Sequence, residues 1–151
     1  MNELQIKHLL ANNIVTRHTF SGTYALDEIP YFEHNAHYIL NLDPRAYPGS
    51  HWILIVRDSN GYINHFCSSG MPPYDPILLK KLKRYPVILY SPDVIQSPYS
   101  RSCGLFCALI SYLMSCGNSL RESVNIFTPD TELNEIILTS KIQKYFKHEL
   151  R

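Results

Sequence analysis

The stretch Gln96-Ser97-Pro98-Tyr99-Ser100-Arg101-Ser102-Cys103-Gly104-Leu105-Phe106-Cys107 decides how this chain is read. Its second half opens a run, from Cys103 to Cys116, that lacks proline and is apolar almost all round. Such a run predicts a buried helix. Gly117 follows it, the residue type favoured just past a helix end. Ser100 or Ser102 stands where an N-cap is expected. Cys103 therefore falls in the first helical turn, and Gln96 lies seven residues upstream in a loop that also holds Pro92 and Pro98. A free thiol titrates near ~8.5 and is mostly protonated at neutral pH. A helix start favours the thiolate, because the dipole ends positive there and the first N–H groups lack intrahelical partners.

Working outward, His51 precedes Cys103 by 52 residues and opens the strand-like segment His51-Trp52-Ile53-Leu54-Ile55-Val56. Thiol, imidazole and side-chain amide supply a nucleophile, a general base and an oxyanion donor, the parts of a cysteine peptidase site. Asp58-Ser59-Asn60-Gly61 is a turn signal between two alternating runs, which predicts a hairpin. Taking those four residues as the loop pairs Arg57 with Tyr62. Cys67 then falls abreast of Trp52, and Ser68 abreast of His51. A slip of one or two residues leaves both Cys67 and Ser68 open as partners of the imidazole. Cys107 and Cys116 are read as small buried hydrophobes.

The chain resembles the adenovirus-type, adenain-like cysteine proteases, relatives of the SUMO-specific proteases. His51-Trp52 matches that family's His-Trp pair, and Gln96 with Cys103-Gly104-Leu105-Phe106 matches its Gln and Cys-Gly block at the same spacing. Phe20-Ser21-Gly22-Thr23-Tyr24 looks like the Gly-Thr-Tyr segment after the family's first helix, and Pro129 through Phe146 like its closing helix. The resemblance implies a papain-like α+β fold: a central mixed, mostly antiparallel sheet packed on the buried helix that begins at Cys103. It implies catalysis by Cys103 and His51, an oxyanion hole from Gln96, and substrate contacts at Trp52 and Gly104. Ile63-Asn64-His65-Phe66-Cys67-Ser68-Ser69-Gly70 aligns with the family's acidic block, and Cys67 stands where Asp or Glu is usual. A thiol is a weak acceptor, so Cys67, Ser68, a water, or a carboxylate such as Asp43 or Asp58 is left to orient His51. The implied substrates are viral precursor proteins cleaved after small residues such as Gly, during virion maturation. The implied setting is intracellular, in the host nucleus or cytoplasm and the virion. A peptide or DNA activator is a further family trait. No cysteine lies between Cys67 and Cys103, or before Cys67, to tether such a peptide.

The 151 residues suit one domain spanning 1–151. The net charge of +1 gives no overall pull toward nucleic acid or membrane. One dense basic run, Lys80, Lys81, Lys83 and Arg84, is a candidate for weak nucleic-acid contact, though the end of a solvated helix is the plainer reading. No secretory leader is read at the amino terminus, and the four cysteines are not read as a disulfide framework. A monomer without a metal or organic cofactor is expected. Helices are predicted over about Asn2–Ala11 (apolar face Leu4, Ile6, Leu9, Leu10), Asp75–Leu82, Ser119–Phe127, and from Thr128-Pro129 to Lys147. Strands are predicted over His37–Leu42, His51–Arg57, Tyr62–Cys67 and Val87–Tyr90, the last as a buried strand. The segment after Ala11 as far as Asn35 reads as loop, as does Pro44–Ser50.

Two rivals share these residues. A binding module would keep the groove and lose turnover through Cys67. A zinc protein would use His65, Cys67, Cys103 and Cys107, two ligands on a strand face and two on a helix face. Their spacing matches no common zinc motif.

Overall fold

The computed structural model describes residues 1–47 and 51–151. Pro48, Gly49 and Ser50, the end of the loop predicted over 44–50, lie outside the described residues. Five strands form one mixed sheet in the order β1 (Phe20–Tyr24), β2 (Ala36–Asn41), β3 (Trp52–Arg57), β4 (Ile63–Phe66) and β5 (Ile88–Tyr90). The two central pairings are antiparallel and the two outer ones parallel. On one face lie the helices α1 (Glu3–Asn12), α3 (Cys103–Ser115), α4 (Leu120–Val124) and α5 (Thr131–Tyr145). On the other, α2 (Pro76–Leu82) and the segment around Leu26–Phe32 cover Ile53, Ile55 and Ile63. This α+β architecture is the one predicted.

The helix at Cys103 is held by packing. Phe106, Cys107, Ala108, Leu109 and Ile110 are fully buried between the sheet and the other helices. Burying one Leu, Ile or Phe completely stabilises by about 1.5–3 kcal/mol. Several such residues outweigh the ~1 kcal/mol that a missing N-cap costs. Gly117 takes φ +103 after the C-cap, as its position predicts. Asn2 caps α1 and Ser119 caps α4, each through a reciprocal capping box.

Several expectations are corrected. Phe20–Tyr24 is a strand, paired in parallel with β2. Its register breaks between Phe20 and Gly22, where Gly22 sits at φ +133, so the usual alternation is lost. Leu4 is 75% exposed and lies off the buried face of α1. The strand Ile88–Tyr90 is an exposed edge, not a buried strand. The last helix starts at Thr131, capped by Asp130, two residues beyond Pro129. Cys116 is exposed at the C-cap of α3 and is no buried hydrophobe. Tyr99, in the loop between Gln96 and Cys103, is 94% exposed.

The hairpin register differs by one residue from the expectation. Arg57 pairs with Ile63, and the Asp58 amide donates to Tyr62 O at 3.0 Å. The loop is thus the three residues Ser59-Asn60-Gly61, with Gly61 at φ +83. A left-handed residue closing a three-residue hairpin loop is a favoured geometry, and only glycine takes it without strain. The Asp58 carboxylate fixes the loop by accepting from the Asn60 and Tyr62 amides. Continuing this register sets Cys67 opposite Ile53, on the sheet face shared with His51.

Candidate functional site

His51 lies just ahead of β3, anchored where its carbonyl accepts from the Leu42 amide at 3.0 Å. The ring is half-buried, and its Nε2 is 3.2 Å from Cys67 Sγ. The hairpin register therefore selects Cys67 over Ser68, and neither Asp43 nor Asp58 hydrogen-bonds the ring among the described residues. Because Nε2 is engaged by sulfur, Nδ1 is the ring nitrogen left for a reacting group. Burial pushes the His51 pKa below the ordinary 6.5 and so favours the neutral, basic imidazole.

Cys103 is the first residue of α3 and is 8% exposed. Ser102 occupies the N-cap position, yet its side chain makes no cap bond. The N–H groups of the first turn are therefore free of a side-chain cap. Gly104 packs toward α1: a Cβ there would come within 3.0 Å of Ile6 Cδ1 and 3.5 Å of Trp52 Cδ1. Expected among substrate contacts, Gly104 is buried, and its lack of a side chain lets α1, α3 and β3 meet. Trp52 packs on the core, and its carbonyl accepts a weak hydrogen bond from the Cys107 thiol at 3.5 Å. Trp52 also lines a cleft of about 480 Å³ with Met1, Asn2, Asn41, Arg45 and Tyr47. Arg45 there is clamped by Glu3 and Glu28, which holds the Glu3 carboxyl down at about 2.

Gln96 is 5% exposed and pinned at both ends of its amide. Its Oε1 accepts a hydrogen bond from the fully buried Ser68 hydroxyl. Its Nε2 donates to Ser100 O at 3.0 Å, leaving one N–H for another acceptor. The Ile95 and Gln96 amides both donate to Ser68 O. Gly70, at φ +73, lets this loop close onto the turn after β4, for a Cβ there would lie 2.6 Å from Pro92 O. The adjacent residues Cys67 and Ser68 thus touch His51 and Gln96 at once.

Cys107 is buried as expected, while the surroundings of His65 and Cys107 and the place of Glu135 go beyond what the sequence indicates. His65 is 2% exposed, and its Nδ1 has no hydrogen-bond partner among the described residues. Burial, with a smaller push from the nearby His51 charge, lowers the His65 pKa to about 4. Cys107 is fully buried with Cys103 and Cys67 nearby, and burial first, then those two thiols, drives its pKa well up. Glu135 on α5 accepts from the Ser100 and Ser102 hydroxyls. Only alternation along β4 hints at His65, and no local pattern marks Glu135. Among the described residues, no three His, Cys, Asp or Glu side chains gather in a way that could hold a metal ion, which speaks against the zinc arrangement of His65, Cys67, Cys103 and Cys107. The basic residues Lys80, Lys81, Lys83 and Arg84 are exposed at the end of α2 and beyond, with the Arg84 guanidinium 4.8 Å above the Tyr31 ring.

No family profile and no curated protein sequence matches the chain. Among solved structures it is similar to the ASFV pS273R protease. One structure of that protein matches at 15% identity with a TM-score of 0.63, covering 96% of this chain and 66% of the other. A selenomethionine structure of the same protease matches at 19% identity and a TM-score of 0.47, covering 73% of this chain and 43% of the other. The chain thus spans about two-thirds of the length of the ASFV protease, and nearly all of it superposes with the fold of that protease.

Proposed function

We propose that this protein is a cysteine peptidase. Cys103 attacks the scissile carbonyl as a thiolate, and the carbonyl oxygen becomes an oxyanion held by the free Gln96 N–H and the Cys103 backbone N–H. His51 takes the thiol proton at Nδ1 and returns it to the leaving amine as the C–N bond breaks. Water then enters, loses a proton to His51, and hydrolyses the thioester to free the carboxylate product and Cys103. The observation that carries this reading is the shared turn Cys67-Ser68, which joins His51 and Gln96 beside the helix that starts at Cys103.

Cys67 stands as the third member of the group. Its sulfur faces Nε2 and so fixes which nitrogen faces the thiol, but a neutral thiol accepts weakly and stabilises an imidazolium poorly. Turnover is accordingly expected to be slow. The substrate is taken to be an extended polypeptide with a small residue such as Gly before the cleaved bond, a viral precursor or a ubiquitin-like protein tail. The fold shared with the ASFV protease supports the peptidase reading at the level of fold. If Cys67 blocks turnover altogether, the same groove acts as a binding module.

Cleavage of Gly-containing peptides by wild type, Cys103→Ala and Cys67→Asp tests the proposal. Wild type should turn over, Cys103→Ala should fall to background, and Cys67→Asp should gain. Wild-type turnover that survives Cys103→Ala would refute the assignment.

A further inference from the structure

The loop between Gln96 and Cys103 is held from α5 by one carboxylate. Glu135 Oε1 accepts a hydrogen bond from the Ser100 hydroxyl, and Oε2 accepts from the Ser102 hydroxyl at 3.0 Å. The Ser100 carbonyl in turn holds Gln96 Nε2, and Ser100 Oγ accepts from the Ser102 amide at 3.1 Å. The neighbouring Asn134, fully buried, donates to Ile95 O at 3.0 Å and so fixes the other side of Gln96. Ser102 sits at φ −92 and ψ 12, outside the extended conformation of an ordinary N-cap. Serine is among the best capping residues, yet here its hydroxyl is turned to Glu135 and away from α3.

We propose that Glu135 is a positioning residue for the oxyanion site. This inference rests on the peptidase reading above. By binding both hydroxyls, Glu135 keeps Ser102 from capping α3 and keeps Ser100 under the Gln96 amide. The first-turn N–H groups then keep their hydrogen-bonding capacity, because the Glu135 carboxylate accepts from the two hydroxyls instead. A serine cap would take up the Gly104 or Leu105 N–H and remove it as a donor at the helix start. Glu135 touches neither substrate nor thiol in this scheme, and its effect passes entirely through the two serines.

The test compares wild type, Glu135→Ala and the double variant Glu135→Ala/Ser102→Ala on a cleavable Gly-containing peptide. Freed of Glu135, Ser102 caps α3, and kcat should fall about 10-fold with KM unchanged, a smaller loss than the ~10²–10³-fold of deleting an oxyanion donor. The double variant has no hydroxyl to cap with and should regain several-fold in kcat. A purely structural brace predicts the opposite, a double variant no better than the single one, and that result overturns the proposal. So does an unchanged kcat in Glu135→Ala. Amide hydrogen exchange at Gly104 and Leu105 reads the same event without turnover, so it decides the matter even if the peptidase reading fails. Exchange should slow in Glu135→Ala and return to the wild-type rate in the double variant, and identical rates in all three proteins overturn the proposal.

Discussion

The two halves of the candidate site are built to different standards. On the oxyanion side, Gln96 is fixed by Ser68 and Ser100, and its loop is strapped by Asn134 and Glu135. On the base side, His51 has one side-chain partner among the described residues, the sulfur of Cys67 at 3.2 Å. A hydrogen bond to a charged acceptor contributes about 1.5–3 kcal/mol, and one to a neutral thiol less. On the proposed function, the contrast places the weakness on the base side: the carbonyl would meet a donor fixed at both ends, while the imidazole would be steered by a single thiol.

Deleting the rigid half should hurt most. Gln96→Ala removes a prepared donor and should lower kcat by about 10²–10³-fold with little change in KM. Steady-state kinetics on a Gly-containing peptide checks this, and a loss below about threefold would break the contrast. Acid should strike the base side next. The unfolded chain binds a proton at His65 below 6.5, but the folded one only below about 4, because burial resists the charge. Stability is therefore complete above 6.5 and declines as pH falls toward 4, by on the order of 3 kcal/mol from His65. His37, buried against the Ser111 hydroxyl and likewise lowered to about 4, adds a similar slope. Melting temperature against pH should fall less steeply between 6.5 and 4 in His65→Gln than in wild type, and equal slopes would remove His65 from the picture.

The joint between the halves comes third. Gly70→Ala sets a Cβ 2.6 Å from Pro92 O at a left-handed residue, which should cost about 2 kcal/mol or more. That corresponds to a fall in Tm of roughly 4–8 °C for a chain of this size, and calorimetry reads it. Smallest is the change at the weak partner. Cys67→Asp should raise kcat about 10-fold by giving His51 a charged acceptor, whereas Cys67→Ser should change it little. A loss of activity in Cys67→Asp would show that the base side is already matched to its thiol.

Much of this was readable without coordinates. Proline-free apolar content and a following Gly117 mark α3, and Gln96, Cys103 and His51 stand out as the candidate reacting groups. The features hidden in the sequence have specific causes. The strand Phe20–Tyr24 is concealed by Gly22 and its register break. Ile88-Leu89-Tyr90 reads as buried because its composition is apolar, although it closes the sheet as an edge. The hairpin register turned on a single left-handed glycine, and that one-residue difference moves Cys67 onto the face of His51. The hold of Glu135 on Ser100 and Ser102 joins residues more than 30 positions apart, which no local pattern encodes.

Labelling the four free thiols with iodoacetamide at neutral pH, with each site quantified by mass spectrometry, tests the role of Cys103 most directly. Cys103 should react faster than the exposed Cys116, although Cys103 is only 8% accessible, and His51→Ala should slow it. Labelling led by Cys116, with Cys103 no faster than the buried Cys107, would contradict Cys103 as the nucleophile.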